Sequence, residues 1–474
     1  MKFPFVGPAY QSRSSNVNAQ RCVNLYPEVD ESGKNVLVLY GTPGLLRKTT
    51  VGNGPIRGAI AIGSYLYVVS GTSLYRVDQS WNAFLLGTVS GSGLVSMATN
   101  RSQLMIVNGT NGYIVTLSTG ALTPITSTDF PTAPDAVTFI DNYFLVNSSG
   151  SDQFQISTLG DGLIWDGTDF ASAEGNPDDV VSILADHREL WLFGSKSIEV
   201  WYNSGDADFP FDRIQGAFIE VGCIAKNSVA KADNTVYWIG QDANGYGMVW
   251  SARGYQPQRV STHAIEHALQ GYTRLDDAIG WTYQQEGHTF YVLSFPTADR
   301  TWALDLANGL WHERAYRDPV TGLLHRHRAN CHAVFNGLNI VGDHTSGKLY
   351  ELDLDTYTDD GDEIKSLRAC AVLWDTTDLT NMAHYRLQID VEGGVGLITG
   401  QGSDPQMMLR WSDDGGHEWS SEHWTTIGAL GKYGAMAIWR RLGGSRNRIY
   451  EASITDPVKR VIINAHLRVS AGQS

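Results

Sequence analysis

The segment SYLYVVSGTSLYRV, residues 64–77, consists of two apolar runs separated by a short polar turn that contains Gly71. Two apolar runs joined by a glycine-containing turn are the signature of a β-hairpin. A further apolar run, RGAIAI (57–62), comes directly before this hairpin. The stretch therefore predicts at least three consecutive antiparallel strands.

Six further segments along the chain have the same form. They are SQLMIVNGTNGYIV (102–115), DNYFLVNSSGSDQFQI (141–156), RELWLFGSKSIEVW (188–201), NTVYWIGQDANGYGMVW (234–250), HTFYVLSFPTADRTWAL (288–304) and NGLNIVGDHTSGKLYEL (336–352). Equivalent positions lie about 39 to 54 residues apart. A unit of three or four strands at this period is typical of β-propeller blades, because one small sheet can bury both faces only between neighbours. The pattern predicts an all-β fold with a propeller of about seven blades, six to eight being possible; two stacked sandwiches are the alternative.

Three domains are expected from the position of these repeats. Residues 56–360 hold the propeller, and residues 1–55 precede it; within them, Val36–Tyr40 is predicted to complete the last blade and close the ring. The acidic stretch TYTDDGDEIKS (356–366) is interpreted as a linker. Residues 361–474 contain four alternating segments, HYRLQIDVEGG, QMMLRWSDDGGHEWS, YGAMAIWRRL and VIINAHLRV. They predict a separate C-terminal β-sandwich.

Composition narrows the classes of function. The chain has 474 residues, of which 42% are hydrophobic and 18% charged, and its net charge is −15. Tight, sequence-independent DNA binding requires a basic surface, so the net charge argues against it, whereas an acidic surface past which DNA slides is compatible. No apolar run is long enough to span a membrane, and no signal peptide is expected. The four cysteines form no CxxC pair and are interpreted as buried thiols made in a reducing compartment: Cys22, Cys223, Cys331 and Cys370.

WSDDGGHEWS (411–420) contains the Asp-box pattern found in sialidases. Its residues are Ser412, Asp414, Gly416 and Trp419. In this motif the hydroxyl and the carboxylate bond backbone groups of a hairpin turn, the glycine takes a positive φ, and the tryptophan packs beneath. Sialidases usually carry one box per blade, whereas this chain has one, outside the repeat. A structural turn is favoured over a trace of a glycosidase, and no catalytic residue is predicted.

Two histidine clusters resemble metal sites. In HAIEH (263–267), His263 and His267 with Glu266 match an inverzincin pattern if the segment is helical. The favoured alternative is a connecting helix, capped by Ser261 or Thr262 and ended at Gly271.

The second cluster is HRHRANCH (325–332), with His325, His327, Cys331 and His332. Strand alternation places His325 and His327 on one face but Cys331 and His332 on opposite faces. No metal site is predicted from either cluster. No Walker A motif is present, and the loop GSGLVS (91–96) is not followed by a βαβ pattern, so no nucleotide site and no cofactor are predicted.

WRRLGGSRNR (439–448) concentrates four arginines in one hairpin: Arg440, Arg441, Arg446 and Arg448. Guanidinium groups pair well with both carboxylates and phosphates. On so acidic a chain, pairing with carboxylates of a neighbouring subunit is favoured over contact with DNA or a solvated face.

Several stretches, in order, resemble the packaged-DNA-stabilisation proteins of short-tailed bacteriophages, also called tail accessory factors or tail nozzle proteins. The resemblance begins with RCVNLYPEV (21–29), in which Arg21, Asn24, Leu25, Tyr26 and Pro27 form the family-like motif, and GTPGL (41–45). It continues through DDVVSILADHRELWLFGSKSIEVWYNSG (178–205), VGCIAKNSVAKADNTVYWIG (221–240), STHAIEHALQGY (261–272) and AMAIWRRLGGSRNRIYEASITDP (435–457). His263 and His267 depart from that family's helix pattern, and the Asp box is not a family hallmark.

This resemblance implies a structural virion protein with no enzymatic activity. It implies a ring of copies, six by resemblance, beneath the portal and its adaptor protein, synthesised in the cytoplasm of a bacterial host. Such a ring extends the channel for double-stranded DNA, helps to retain the packaged genome, and docks a plug, needle, tailspike or fibre, without insertion into a membrane. Two alternatives remain at this point: a tail-associated glycan-binding or sialidase-like propeller, and a cytosolic propeller that binds peptides.

Overall fold

The computed structural model describes residues 2–29, 36–176, 178–242, 244–375 and 380–471. Seven four-stranded antiparallel units, here called blades 1–7, follow one another along the chain. Blade 1 consists of the strands Ile56–Ile62, Tyr65–Ser70, Ser73–Val77 and Ala83–Thr88. Blade 2 consists of Ser96–Thr99, Gln103–Val107, Gly112–Thr116 and Ala121–Pro124. Blade 3 consists of Pro134–Ile140, Tyr143–Ser148, Gln153–Thr158 and Asp161–Ser172. Blade 4 consists of Val180–Asp186, Glu189–Gly194, Ile198–Asn203 and Phe211–Ile219. Blade 5 consists of Ala230–Ala232, Thr235–Gln241, Gly247–Arg253 and Gln256–Arg259. Blade 6 consists of Ile279–Gln285, His288–Phe295, Arg300–Asp305 and Leu310–Glu313. Blade 7 consists of Ala329–Phe335, Leu338–Asp343 and Lys348–Asp353, and its fourth strand, Gly44–Thr50, comes from the N-terminal segment.

The blades form a closed ring. The first strand of each blade lies beside the first strand of the next, with the 3-10 turn Lys226–Ser228 bridging blades 4 and 5, and blade 7 returns to blade 1. Apolar cores lie between neighbours; at the closure, Leu66 and Val68 of blade 1 pack with Phe335 and Ile340 of blade 7. The prediction of an all-β propeller with about seven blades is confirmed.

The strand that closes the ring differs from the predicted one. Gly44–Thr50, and not Val36–Tyr40, pairs with Lys348–Asp353 as the fourth strand of blade 7. The neighbouring strand Leu37–Gly41 pairs with Leu25–Val29 and with Val461–Ala471, in the sandwich. The predicted strand is the more apolar of the two, and only Thr42 and Pro43 separate it from Gly44–Thr50, so the apolar pattern favoured the wrong strand. Gly44 allows the chain to pass close to Thr356, since a Cβ at this position would collide with the carbonyl oxygen of Thr356.

The sandwich consists of two sheets. The first sheet contains, in order, Leu25–Val29, Leu37–Gly41, Val461–Ala471, Met382–Val391 and Ala437–Arg440, with Lys2–Phe3 and Gly444–Ser445 at its side. The second contains Ala19–Val23, Ser366–Ala369, Asn447–Ile454, Gln406–Ser412 and His423–Thr426, with Tyr10–Gln11 and Leu373–Trp374 at its side. The prediction of a β-sandwich after the propeller is confirmed.

The N-terminal segment joins the two domains. The second sandwich sheet continues into blade 6, because Val23 pairs with Glu313 in a parallel bridge. One apolar core contains Phe5 and Leu25 of the N-terminal segment, Leu293 of blade 6 and Leu387 of the sandwich. The sandwich therefore uses strands from both ends of the chain and is not built from residues 361–474 alone.

The remaining elements are short. The helix His263–Gln270 connects blades 5 and 6, the hairpin Ala315–Arg317 and Leu324–Arg326 follows blade 6, and Thr358–Asp359 pairs with Asp362–Glu363 in the predicted linker. Within the described residues, no helix has the length and apolar character needed to cross a bilayer.

Candidate functional site

The family-like motif at residues 21–27 forms the seam between propeller and sandwich. Asn24 is buried and has a φ of 52°, a left-handed conformation that asparagine tolerates better than most residues. Its Nδ2 donates to the carbonyl oxygens of Ala315 (2.8 Å) and Lys365 (3.0 Å), and the Ala315 N–H donates to Asn24 Oδ1 (2.9 Å). The Asn24 side chain thus connects the segment at Ala315, just after blade 6, with the segment at Lys365, just before the sandwich strand Ser366–Ala369.

The other motif residues bind the same surface. Arg21 forms an ion pair with Glu313 of blade 6 at 3.3 Å. The ring of Tyr26 packs edge-on against Phe290, with centroids 5.5 Å apart. The Pro27 carbonyl accepts a hydrogen bond from Asn308 Nδ2 at 2.8 Å. Leu25 lies in the core shared by the two domains. The motif therefore fixes how the sandwich sits on blade 6.

Arg368 is a buried clamp in this seam that the sequence interpretation missed. Its Nε donates to the Phe5 carbonyl at 2.6 Å, and its Nη1 donates to the carbonyls of Pro8 (2.8 Å) and Arg21 (3.2 Å). Its Nη2 donates to Gln20 Oε1. A single guanidinium thus satisfies four acceptors of the N-terminal segment. An arginine inside the apolar run SLRACAVL (366–373) is the signal that could have identified it.

The arginine hairpin divides into buried and exposed members. Arg440, Arg441 and Arg446 are exposed. Arg448 is buried, and its Nε and Nη2 donate to Asp413 Oδ1 (2.6 Å) and Oδ2 (2.7 Å). The prediction of an interface or DNA contact is therefore wrong for Arg448, because its charge is already paired inside the sandwich.

A row of three arginines crosses the outer face of the first sandwich sheet. Arg386 pairs in register with Arg440 on one side and with Arg468 on the other, and all three are exposed. The next residue along the strand, Leu387, points to the opposite face and lies in the core. Like charges directly opposite one another destabilise a sheet. None of the three forms an ion pair with a described carboxylate, so the row is a cationic surface on an acidic protein.

A cavity of about 290 Å³ lies where the first strands of blades 1, 2, 6 and 7 meet. Its described lining contains no aspartate or glutamate, and its one arginine, Arg57, is engaged by the backbone. Arg57 donates to the carbonyls of Gly93 (2.5 Å), Gly71 (2.9 Å), Val89 (3.0 Å) and Ser90 (3.0 Å). The axial carboxylates and converging arginines that sialidase chemistry needs are not gathered among these residues.

Comparison with known families decides the relationship. The family described as "Bacteriophage P22 Gp10, beta-propeller" matches residues 1–357, and "Bacteriophage P22 Gp10, beta-sandwich" matches residues 372–470. The chain belongs to the bacteriophage P22 Gp10 family. It is a phage tail structural protein of the nozzle type, associated with stabilisation of packaged DNA. The resemblance found in the sequence is confirmed.

Solved structures show more distant likeness. The N-terminal domain of Nup159 is 10% identical, with a TM-score of 0.40, over 70% of this chain and 98% of that domain. PorZ, described as an essential bacterial surface component of the type-IX secretion system of Porphyromonas gingivalis, is 12% identical, with a TM-score of 0.36, over 73% of this chain and 44% of PorZ. Both scores are too low to carry an argument about function. No curated protein matches the chain.

The Asp box of this Gp10-family chain forms a turn at one end of the sandwich. Ser412 Oγ donates to Asp414 Oδ1 at 2.6 Å and accepts from the Gly416 N–H at 2.8 Å. The N–H groups of His417 and Glu418 donate to Asp414 Oδ1, each at 3.0 Å. The hydrogen bond from the Ser412 hydroxyl, together with those from Glu418 and His417, holds the pKa of Asp414 below its usual value. Gly416 has a φ of 95°. Every one of these bonds stays within the turn.

Trp419 completes the box. It is partly buried against the small apolar cluster that contains Ala19 and Ile449, and the guanidinium of Arg410 lies 4.6 Å from its ring centroid. The tryptophan thus attaches the turn to the second sandwich sheet.

The helix His263–Gln270 begins at Thr262, whose side chain accepts a hydrogen bond from the Ile265 N–H, and ends at Gly271. It buries Ala264, Ile265 and Leu269, as expected of a connecting helix. Glu266 is also buried and pairs with Arg259, while Ser261 Oγ donates to its Oε1 at 2.7 Å. Its carboxylate is therefore occupied, and His263 is exposed at the helix start.

The second histidine cluster is dispersed. His325 pairs with Asp299 at 2.7 Å, whereas His332 stacks on Trp281 and contacts Asn339 Oδ1 at 3.0 Å. Burial lowers the pKa of His327 to about 3 and that of His332 to about 4. In the part of the chain that the structure describes, no three potential metal ligands come together.

Proposed function

We propose that six copies of this Gp10-family chain form a ring beneath the portal and its adaptor protein. The ring extends the channel for double-stranded DNA, helps to retain the packaged genome, and offers a seat for a plug, needle or tailspike, without catalysis. The observation that carries the proposal is the family match of both domains, in order, over nearly the whole chain. The chain is made in the host cytoplasm and then joins the virion.

Exposed outer strands support side-by-side contact between copies. The outermost strand of blade 1, Ala83–Thr88, has one unpaired edge and exposes Phe84 (47%) and Leu85 (63%). Blade 3 exposes Ile164 and Phe170 on its outermost strand. Apolar side chains on free strand edges favour association with another chain. Contacts between two different surfaces of identical copies close into a ring when the rotation between them is suitable.

The distribution of charge supports a channel that does not hold DNA. The net charge of −15 disfavours tight binding to phosphates, which suits a passage through which DNA must move. The row of Arg386, Arg440 and Arg468 is proposed to face carboxylates of a neighbouring subunit, together with the exposed Arg441 and Arg446. Pairing there would relieve the repulsion between guanidinium groups that oppose one another across the sheet.

Electron cryomicroscopy of intact virions tests the proposal directly. We expect six copies of the propeller and sandwich around the axial channel below the adaptor protein. A peripheral position, in spikes or fibres, would overturn the nozzle proposal and favour the glycan-binding alternative. The axial cavity beside Arg57 would then be the place to search for bound sugar.

A pair of variants tests the contact surface. Leu85→Glu places a charge on the outer edge of blade 1, and we expect about tenfold less chain in purified virions, equivalent to about 1.4 kcal/mol of lost association free energy. Val320→Glu is the matched control, because Val320 is 90% exposed in a loop away from that strand. Equal incorporation of both variants would exclude the blade 1 edge as a subunit contact.

A further inference from the structure

A cavity of about 210 Å³ opens at the seam between propeller and sandwich. Its walls come from the N-terminal segment (Tyr26, Gly41), the first hairpin of blade 6 (Glu286), the chain after blade 7 (Tyr357) and the start of the last strand (Arg460). These parts of the chain are distant in sequence. The cavity therefore exists only when both domains are folded and joined.

Arg460 lines this cavity from within the protein and is 2% exposed. Its Nη1 donates to the Ile364 carbonyl at 3.2 Å. Its Nε and Nη2 are buried and have no hydrogen-bond partner among the described residues. Buried arginine donors are almost always satisfied, because a desolvated cation without partners is costly. Burial lowers the pKa of Arg460 to about 10, so the group still carries its charge at neutral pH.

The unsatisfied atoms form one edge of the guanidinium. Nε and Nη2 point the same way and can hold the two oxygens of one carboxylate. The protein uses this edge elsewhere in the sandwich, where Nε and Nη2 of Arg448 bind the two oxygens of Asp413 at 2.6 and 2.7 Å. Gly41 lies beside the corresponding edge of Arg460, since an added Cβ would make a tight contact of 3.3 Å with Nε.

No described carboxylate takes the role at Arg460 that Asp413 takes at Arg448. Asp359 is buried in the same region, and its charge favours the charged form of Arg460, but the two groups form no ion pair within 4.0 Å; burial raises the pKa of Asp359 to about 7. Lys459, exposed at the cavity, is paired with Glu392 at 3.0 Å. The exposed carboxylates of Glu286 and Asp355 line the mouth and disfavour a doubly charged anion.

We propose that this cavity binds a singly charged carboxylate, held by the Nε and Nη2 groups of Arg460. The carboxylate belongs either to a small free acid or to a side chain or C-terminus of a neighbouring polypeptide; the recognition chemistry is the same. Occupation connects the N-terminal segment, the end of blade 7 and the last sandwich strand through one ion. The ligand therefore stabilises the angle between the two domains.

Titration calorimetry of the purified full-length chain with sodium acetate, at constant ionic strength, tests the proposal. We expect saturable binding of one acetate per chain and a rise in the melting temperature, with at least tenfold weaker binding of inorganic phosphate at pH 8. Arg460→Met should abolish acetate binding, whereas Arg440→Ala, which removes an exposed arginine of the same domain, should leave it unchanged. Binding that is absent in the wild type, or equal in wild type and Arg460→Met, would overturn the proposal.

Two further measurements keep the test decisive. If Arg460→Met does not fold, Gly41→Ala places a methyl group beside Nε and should weaken acetate binding at least tenfold; unchanged affinity would exclude this edge as the binding site. Density in the cavity of assembled virions distinguishes the sources, since a neighbouring polypeptide gives density that continues into another chain and a free acid gives an isolated feature. An empty cavity in both the acetate-saturated chain and the virion would exclude the site.

Discussion

The propeller and the sandwich differ in how far apart in the chain their paired strands lie. In blades 1–5, strands that are neighbours in a sheet are also neighbours in the chain. In the sandwich, Lys2 pairs with His466 and Arg21 pairs with Ala369. Local pairings close short loops, whereas pairing the two ends of a long chain costs more loop-closure entropy. Blades 1–5 can therefore form one by one, while the closing blade 7, which takes Gly44–Thr50 from the N-terminal segment, and the sandwich require nearly the whole chain.

The buried polar groups differ in the same way. Cores between blades consist mainly of aliphatic and aromatic side chains, as at Leu66 and Phe335. The sandwich and its seam bury Arg368, Arg448 and Arg460 almost completely, and the propeller buries Arg57 of blade 1 to the same extent. Apolar packing stabilises a surface without selecting one partner strongly, whereas a buried guanidinium tolerates only the arrangement that satisfies its donors. The buried guanidinium of Arg57 thus binds acceptors that are close in the chain, whereas that of Arg368 joins segments from opposite ends of the chain.

Removal of the Arg368 clamp is expected to have the largest effect. Arg368→Met removes the bonds to the carbonyls of Phe5, Pro8 and Arg21 and leaves these acceptors without a donor. The free energy of unfolding should fall by about 3–5 kcal/mol, measured by urea denaturation. Hydrogen exchange should show lost protection at both chain ends, with blades 2–4 little changed. Arg440→Ala, at an exposed site, is the control; equal losses in the two variants would contradict the clamp.

The boundary between the domains should respond to pH through Asp359. Burial raises the pKa of Asp359 to about 7. The unfolded chain releases this proton at lower pH than the folded chain, so the contribution to stability is complete below about pH 4 and is lost as pH rises to 7. Asp359→Asn should remove that loss and raise the free energy of unfolding at pH 8 by up to about 4 kcal/mol.

Urea denaturation of Asp359→Asn at pH 4 and pH 8 checks this expectation. Asp355→Asn, at an exposed position of the same segment, serves as the control. A difference from the wild type that is the same at both pH values would exclude titration of Asp359 as its cause.

A substitution that creates a cavity in a blade core should lower the free energy of unfolding by an intermediate amount. Leu66 is fully buried between blades 1 and 7, and Leu66→Ala should lower the free energy of unfolding by about 3 kcal/mol. Because blades contact mainly their neighbours, hydrogen exchange should increase first in blades 1, 2 and 7. Leu323→Ala, at an exposed position, provides the matched control. Uniform loss of protection through both domains would show that the propeller has no local units of stability.

The smallest effect is expected at the Asp box. Asp414→Ala removes the acceptor of the His417 and Glu418 N–H groups in an exposed turn. A small fall in melting temperature is expected, with no change in the propeller and no loss of glycosidase activity. Glu418→Ala leaves these backbone bonds in place and is the control. Release of sugar from host polysaccharide by the wild type, abolished by Asp414→Ala, would contradict the interpretation as a structural turn.

The division of the chain into residues 1–55, 56–360 and 361–474 stays a prediction as far as independent folding is concerned. The strands show why it is incomplete. Residues 2–29 and Leu37–Gly41 lie in or against the sandwich, and Gly44–Thr50 completes blade 7. A fragment beginning at residue 56 would lack the fourth strand of blade 7, so we expect its ring to remain open.

The sequence by itself determined the propeller, with about seven blades, and the connecting helix. Each depends on residues close in the chain: hairpins such as 64–77 repeat seven times, and Thr262 and Gly271 delimit His263–Gln270. Only the tertiary structure decided that Gly44–Thr50 closes the ring, that Asn24 and Arg368 form the seam, and that Arg448 is buried. The first two outcomes depend on contacts between segments that lie hundreds of residues apart, and the burial of Arg448 depends on its pairing with Asp413, which is 35 residues away. The local repeat pattern and the composition cannot predict such contacts. The same apolar strand or arginine could pair with several partners, and only the folded chain selects one of them.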